Sequence, residues 1–359
     1  MANFTPDAGR WTTSSGPFDT RLGLIYNLPT AGLVLPGIDR SEVWTGGNPT
    51  AKGSEMSELW AYFNGEWVPR SELRIDPADR GFTMGDAVFD VERTFNGKIF
   101  RLKEHMERLY RSLQYNRIDP GLAMHEMASI SEEAVRRNEP MRPSGGDFSI
   151  RQVVTRGTPV SGTQGGVLEP LTPTVIVLVT MVAFETYAQF YEAGATVVIP
   201  KTRSYSSNFF DPKAKHYSRG NFVQAQLEAA DLDPDAFPVL LDQDGNITEN
   251  MGANFFVVTD GVLRTSSDKS VLQGISRKSV LELAEQLGIP VVEEDLQPYD
   301  AYTADEAFLT NTYFQLLPVR SVDRRPMGEV PGPISKQLLA AWSELVGLDI
   351  VDQALQAIK

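Results

Sequence analysis

The sequence predicts an α+β fold of two domains, with antiparallel sheets and packed helices. Three observations carry that prediction. Asn-Gly or Asp-Gly pairs recur at Asn64-Gly65, Asn96-Gly97, Asp244-Gly245 and Asp260-Gly261, and such pairs favour the positive φ that a tight hairpin turn needs. Apolar residues step at three and four through Leu102, Met106, Leu109 and Leu113, through Val280, Leu283, Ala284 and Leu287, and from Ile334 through Leu338, Ala341, Trp342 and Leu345. Each stripe fits a helix laid on a sheet. At 359 residues the chain is long enough for two separate cores.

Taken in order, residues 1–57 are rich in Gly, Pro, Ser and Thr without a sustained period and read as an N-terminal arm. Leu59 to Phe63, Asn64-Gly65 and Glu66 to Val68 then predict a hairpin. Val175 to Val182 is the most apolar run, far short of a membrane span, and reads as a buried strand. The boundary between a small domain (58–182) and a large one (183–359) falls at the stretch that follows, Ala183 to Glu192. Gly288 and Pro290 end the second helical stripe, and Gly347 ends the third.

Composition narrows the function. A net charge of −14 repels polyanions on average, which argues against nucleic acid as a partner. The chain has no cysteine, so disulfides, thiolate nucleophiles and thiolate metal sites are excluded. Its histidines, His105, His125 and His216, are too scattered for a zinc spacing. There is no basic n-region followed by an apolar stretch, so a cytoplasmic protein is expected.

Lys215 stands out within Asp211-Pro212-Lys213-Ala214-Lys215-His216-Tyr217-Ser218-Arg219-Gly220-Asn221-Phe222, a basic loop leading into an amphipathic helix. Glu249 follows a hairpin turn downstream. A lysine amine can form a Schiff base, and a carboxyl can keep a ring nitrogen protonated, which is a protein's share of pyridoxal-phosphate chemistry. The plainer reading makes Lys215 a solvated surface charge and Glu249 an ordinary hairpin-end carboxylate.

Further blocks are Asp79 to Asp90 (DRGFTMGDAVFD), Phe100 to Leu109 (FRLKEHMERL), Thr155-Arg156-Gly157, Gly245 to Glu249, Asn254-Phe255-Phe256, Leu272 to Arg277 (LQGISR) and Leu309 to Thr312 (LTNT). In this order, together with the Lys215 loop, they resemble the class IV aminotransferases. These are fold-type-IV pyridoxal-phosphate enzymes related to D-amino-acid aminotransferase, and they include branched-chain and (R)-selective amine transaminases.

The resemblance implies pyridoxal 5'-phosphate as cofactor and Lys215 as its Schiff-base lysine and proton carrier, with Lys213 as the rival. It implies that Glu249 binds the pyridine nitrogen. Arg108 would hold the phosphate with the amides of Ile275 and Ser276 and the Thr312 hydroxyl. The alternative for Arg108 is a helix-surface arginine paired with Glu104. His105 is expected to be structural, His125 to lie on the surface, and His216 to point away from Lys215.

Substrate features are mixed. Thr158 to Thr163 lacks the arginine and histidine of D-amino-acid enzymes, and Ser149-Ile150-Arg151 keeps the arginine of branched-chain enzymes without their tyrosine. Arg151 could meet a distal carboxylate or be a solvated edge residue. Phe89 stands where amine transaminases usually present a tyrosine. Phe89, Met251, Tyr313 and Phe314 would form an apolar pocket. The motifs most resemble the (R)-selective amine group. A ping-pong exchange between a small-molecule amine donor and a keto-acid acceptor is therefore expected, in a homodimer. The alternatives are branched-chain or D-amino-acid transfer, a lyase of the aminodeoxychorismate type, and a cofactor-free binding protein that kept the fold.

Overall fold

Asn64 and Gly65 turn the chain with φ of +48° and +98° between β1 (Trp60–Phe63) and β2 (Glu66–Pro69), the hairpin expected from their sequence. The computed structural model describes residues 58–159 and 171–359; the arm at 1–57 and residues Val160 to Thr163 lie outside the described residues. Helix α1 (Arg80–Met84) is capped by Asp79, whose buried carboxylate accepts from Gly81 N, Thr155 Oγ1 and Thr174 Oγ1. The strands β3 (Ala87–Phe95), β4 (Lys98–Ile99), β5 (Phe148–Pro159) and β6 (Leu171–Met181) complete an antiparallel sheet in the order β2-β1-β6-β5-β3-β4. Helices α2 (Leu102–Asn116) and α3 (Met124–Asn138) cover one face. Met106, Leu109, Leu113 and Met127 pack there against Val88, Ile150, Val154 and Val177.

After α4 (Phe190–Ala193), the chain builds a second sheet from β7 (Ala195–Val198), β8 (Phe237–Pro238), β9 (Asn254–Thr259), β10 (Val262–Ser266), β11 (Val291–Glu294), β12 (Glu306–Thr310), β13 (Leu317–Val322) and β14 (Arg325–Pro326). Its order is β11-β10-β9-β12-β13-β7-β8, with β14 on β13. Helix α5 (Gly220–Ala230) links β7 to β8, and α6 (Ile275–Gln286) links β10 to β11. Then come α7 (Pro298–Tyr302), α8 (Pro333–Val346) and α9 (Ile350–Gln356). Val280 and Leu283 of α6 join Leu338 and Trp342 of α8 in one core with Phe255, Phe256 and Phe308.

The two-sheet α+β architecture agrees with the sequence, with one correction. The second sheet is mixed: β10 with β11, β13 with β7, and β7 with β8 run parallel. For β7–β8 and β10–β11 the cause is the intervening helix, since a strand–helix–strand crossover returns the chain in its original direction whereas a two-residue turn reverses it. Asp260-Gly261 does make a tight hairpin, with both φ positive. At Asp244-Gly245 only the glycine is left-handed, and the Asp242 carboxylate closes the turn by accepting from Asp244 N and Asn246 N.

Gly157 marks a close approach. Its φ is +97°, the β5–β6 register shifts between Thr155 and Thr158, and a Cβ there would fall 1.6 Å from Thr172 O. Gly157→Ala is expected to cost about 3 kcal/mol, read as a lower urea midpoint at unchanged slope. An unaltered midpoint would mean that the two strands can part freely at this point.

Candidate active site

The Lys215 loop is held in place by docking on β3 through a single bridge. Phe89 N donates to Lys215 O and Tyr217 N to Ala87 O, both at 3.0 Å, so the segment pairs antiparallel to β3 around a Val88–His216 bridge. Lys215 N donates to Ser112 Oγ of α2 at 3.0 Å. Because side chains alternate along an extended segment, Lys215 and Tyr217 share one face. Lys215 Nζ lies 4.9 Å from the Phe89 ring centre, and Tyr217 packs on Phe89 at 4.4 Å. His216 borders the same cavity, but its ring packs on Phe210 at 3.8 Å, and burial pushes its pKa down to about 4. Lys213 is exposed, pairs with Asp211 at 3.4 Å and does not line that cavity.

One cavity collects Arg108, Lys215, Glu249, Met251, Ile275, Ser276 and Thr312. Arg108 is buried rather than on the helix surface. Its Nε and Nη2 donate to the two oxygens of Asp90 at 2.8 and 2.6 Å, and Nη1 donates to Gln273 O at 3.2 Å. The alternative pairing with Glu104 is thereby corrected, since Glu104 meets Arg101 and Lys278. His105 is more than packing: its Nδ1 lies 2.7 Å from Asp90 Oδ1. Burial pushes the His105 pKa down, against the Asp90 contact that favours the charged form. Although burial opposes it, Arg108 and His105 hold the Asp90 carboxylate well below its usual range.

Opposite Arg108, α6 begins at Gly274, where no side chain caps the helix. The first-turn amides of Ile275 and Ser276 therefore lack intrahelical acceptors, which makes this end suited to an anion. A Cβ on Gly274 would meet Asn254 Oδ1 at 2.1 Å, so only glycine permits this approach. Thr312 Oγ1 donates to Val91 O at 3.2 Å, and the buried Thr310 Oγ1 has no hydrogen-bond partner.

Glu249 Oε2 accepts from Asn254 Nδ2 and Leu272 N, both at 3.0 Å, leaving Oε1 for a ligand. Burial raises the Glu249 pKa to about 7, against the Leu272 hydrogen bond and the charges of Arg219, Lys215 and Arg108. Burial lowers Lys215 to about 7, reinforced by Arg108 and Arg219 and opposed by Asp90 and Glu249.

The substrate-side expectations fare unevenly. Phe89 faces Lys215, and Met251 borders the cavity. Arg151 is not an edge residue, because β5 lies between β6 and β3. It is half-buried beside Tyr217 and Tyr313; burial pulls its pKa down, but the two hydroxyls outweigh burial and leave it raised. Tyr313 borders a neighbouring cavity, with its hydroxyl 3.3 Å from Ser149 Oγ. Phe314 belongs to the core against Tyr187 and Phe237 and forms no wall of the cavity that holds Lys215. Sequence reasoning assigned no role to Asp90 or Arg219. A lone carboxylate inside the apolar run Ala87 to Val91 was a readable sign of the first, and the four-residue spacing from Lys215 of the second.

The class IV amino-transferase family model matches residues 87–322. The chain belongs to this family. A D-alanine aminotransferase from Bacillus licheniformis is 31% identical over 78% of this chain and 94% of its own. The branched-chain-amino-acid aminotransferase of Escherichia coli K12 is 28% identical over 79% and 91%. Among solved structures, the branched-chain aminotransferase of the thermophilic archaeon Thermoproteus uzoniensis with norvaline superposes with a TM-score of 0.72 at 26% identity, covering 80% of this chain and 95% of that one.

Class IV aminotransferases use pyridoxal 5'-phosphate, and this chain's donor set fits it. Arg108, the α6 amides and the unpartnered Thr310 hydroxyl suit a phosphate. Glu249 suits a pyridinium nitrogen, and Lys215 suits an aldehyde. The buried charges can be tested in two ways. Asp90→Asn leaves the Arg108 guanidinium uncompensated and should cost about 3–5 kcal/mol in chemical unfolding, with weaker retention of cofactor on dialysis; full stability with full retention would remove Asp90 from the site. Lys215 is neutral mainly above pH 7, so capture of pyridoxal phosphate by cofactor-free protein should slow about tenfold per unit below that pH. A capture rate that stays flat between about pH 5 and 8, followed by absorbance, would contradict the depressed pKa.

Proposed function

We propose that this aminotransferase exchanges an amino group between a hydrophobic primary amine or amino acid and a keto acid by a ping-pong cycle, with a preference for (R)-amines. The observation that carries the reading is the Phe89 ring 4.9 Å from Lys215 Nζ, backed by Tyr217. An apolar wall beside the reacting amine favours a hydrocarbon substituent over a charged one. Met251 adds apolar surface at the mouth, where it is 37% exposed and so open to an incoming donor.

The bound ring supplies one thing, a sink for the electron pair left when the substrate carbon loses its proton. The rest is work for side chains. Lys215, about half neutral at pH 7, would bond the cofactor's aldehyde carbon and, once the donor amine has displaced it, carries the proton to and from the substrate carbon. Glu249, with Oε2 already bonded to Asn254 and Leu272, would hold a proton at the ring nitrogen through Oε1. Arg108, oriented by Asp90, would take the phosphate with the Ile275 and Ser276 amides and the Thr310 hydroxyl, since the Thr312 hydroxyl already donates to Val91 O. Arg151, steadied by Tyr217 and Tyr313, receives the distal carboxylate of an acceptor such as 2-oxoglutarate.

The proposal places the site between a small domain of 58–182 and a large one of 183–359, in a cytoplasmic homodimer. Phe82 and Phe209, 75% and 83% exposed, support a partner surface. Among the described residues no helix is long and apolar enough to cross a membrane. A second reading, branched-chain or D-amino-acid transfer, is favoured by the named relatives, and Arg151 gives it a carboxylate partner.

Lys215→Ala is expected to abolish turnover while leaving the circular dichroism of the fold intact; appreciable turnover in that variant would refute the assignment. A donor screen with both enantiomers of 1-phenylethylamine, leucine and D-alanine, against pyruvate and 2-oxoglutarate, separates the readings. Preference for the (R)-amine supports the first, and exclusive use of leucine or D-alanine replaces it with the second. Pyruvate elimination from aminodeoxychorismate without amino transfer would make the protein a lyase.

A further inference from the structure

Arg219 differs from the two guanidinium groups assigned above. Arg108 is already paired with Asp90 and assigned to the phosphate, and Arg151 is held by Tyr217 and Tyr313. Arg219 borders the cavity that contains Lys215 and Glu249, with its guanidinium 5.6 Å from the Phe89 ring centre and 4.8 Å from that of Phe222. Its side-chain hydrogen bond goes to the Met251 carbonyl, and among the described residues no carboxylate lies within ion-pair distance of it. A guanidinium offers five donors in a planar fork that matches a carboxylate. One carbonyl and two ring faces leave much of that capacity unused. Burial pushes its pKa below the ordinary arginine range, with Glu249 and Tyr217 opposing. A half-buried cation in this condition gains from an incoming anion.

We propose that Arg219 receives the carboxylate adjacent to the reacting carbonyl of the keto-acid acceptor. Lys215 Nζ and the Arg219 guanidinium stand against the same ring, Phe89, so the amine that moves the proton at the substrate carbon and the cation for the neighbouring carboxylate share one wall. The other anion position in the cavity, at Arg108 and the start of α6, is taken by the phosphate. Arg151 stands one ring further away, beside Tyr217, and is the candidate for a second, distal carboxylate. A donor amine without a carboxylate uses the Phe89 and Phe222 faces and leaves the Arg219 fork unengaged. The two half-reactions therefore depend on Arg219 unequally. This assignment rests on the amine-to-keto-acid reading above.

The test follows the half-reactions of the holoenzyme separately, by cofactor absorbance, in wild type, Arg219→Met, Arg219→Lys and Arg151→Met. Acceptors are pyruvate, 2-oxoglutarate and the uncharged carbonyl propanal; the donor is 1-phenylethylamine. In Arg219→Met the half-saturating concentration of both keto acids should rise about 10- to 100-fold, the loss of one charge-assisted pair, while that for propanal moves less than about threefold. Arg219→Lys should recover part of the loss, and Arg151→Met should affect 2-oxoglutarate alone. Binding of propionate, an unreactive carboxylate, measured by calorimetry, should weaken in Arg219→Met by the same factor as pyruvate. Equal losses for pyruvate and propanal, or propionate binding unchanged, overturn the assignment. If Arg219→Met does not fold, Arg219→Lys and the propionate titration decide the question. A wild type that refuses the amine but binds propionate through Arg219 sinks the donor reading and keeps the receptor. A wild type that transaminates normally with no effect of Arg219→Met sinks the receptor alone.

Discussion

The pairing of a single short segment with β3 underlies the site. Two backbone hydrogen bonds, Phe89 N to Lys215 O and Tyr217 N to Ala87 O, join the loop after β7 to the first sheet, and Ser112 Oγ holds the Lys215 amide from α2. Extended backbone then sets the alternation: Lys215 and Tyr217 turn to Phe89, and His216 turns to Phe210. A long, flexible side chain becomes a positioned amine because its backbone is held on two sides. Without that pairing the loop would be an ordinary basic surface turn.

Charge balance is the second constraint. Arg108, Lys215 and Arg219 share a buried space with Asp90 and Glu249. Asp90 compensates Arg108 directly through a two-pronged contact, so neither ion is left bare in a medium where an isolated charge is costly. Lys215 and Glu249 have no such contact with each other, and burial moves both toward pH 7 from opposite sides. Groups poised in that way exchange protons readily near neutral pH. The turn after β12 is tied into the same frame: Tyr313 O accepts from Arg93 Nη1 at 2.7 Å, and Tyr187 OH donates to it at 2.9 Å.

Much of this was legible beforehand. The hairpin at Asn64-Gly65, the three helical stripes, and Lys215 and Glu249 as candidate residues, which line one cavity, all follow from local chemistry or from ordered motifs. The parallel strand pairs were missed because a turn motif reports only the connection it makes, whereas α5 and α6 return the chain over longer spans. Phe314 was misread because its neighbours Tyr187 and Phe237 are distant in sequence. Arg151 was open to an edge reading because sheet order is invisible along a single strand.

By itself, the sequence determined what is encoded within about one turn of helix or one hairpin: φ at glycine, the period of an apolar stripe, and which residue types line up in a motif. Only the tertiary structure decided which charges meet. Arg108 is eighteen residues from Asp90, and Arg219 lies far along the chain from Phe89. Those encounters depend on where β3 lies in its sheet and on which face each side chain takes. Both are settled by the burial of two cores, a long-range property that no local pattern contains.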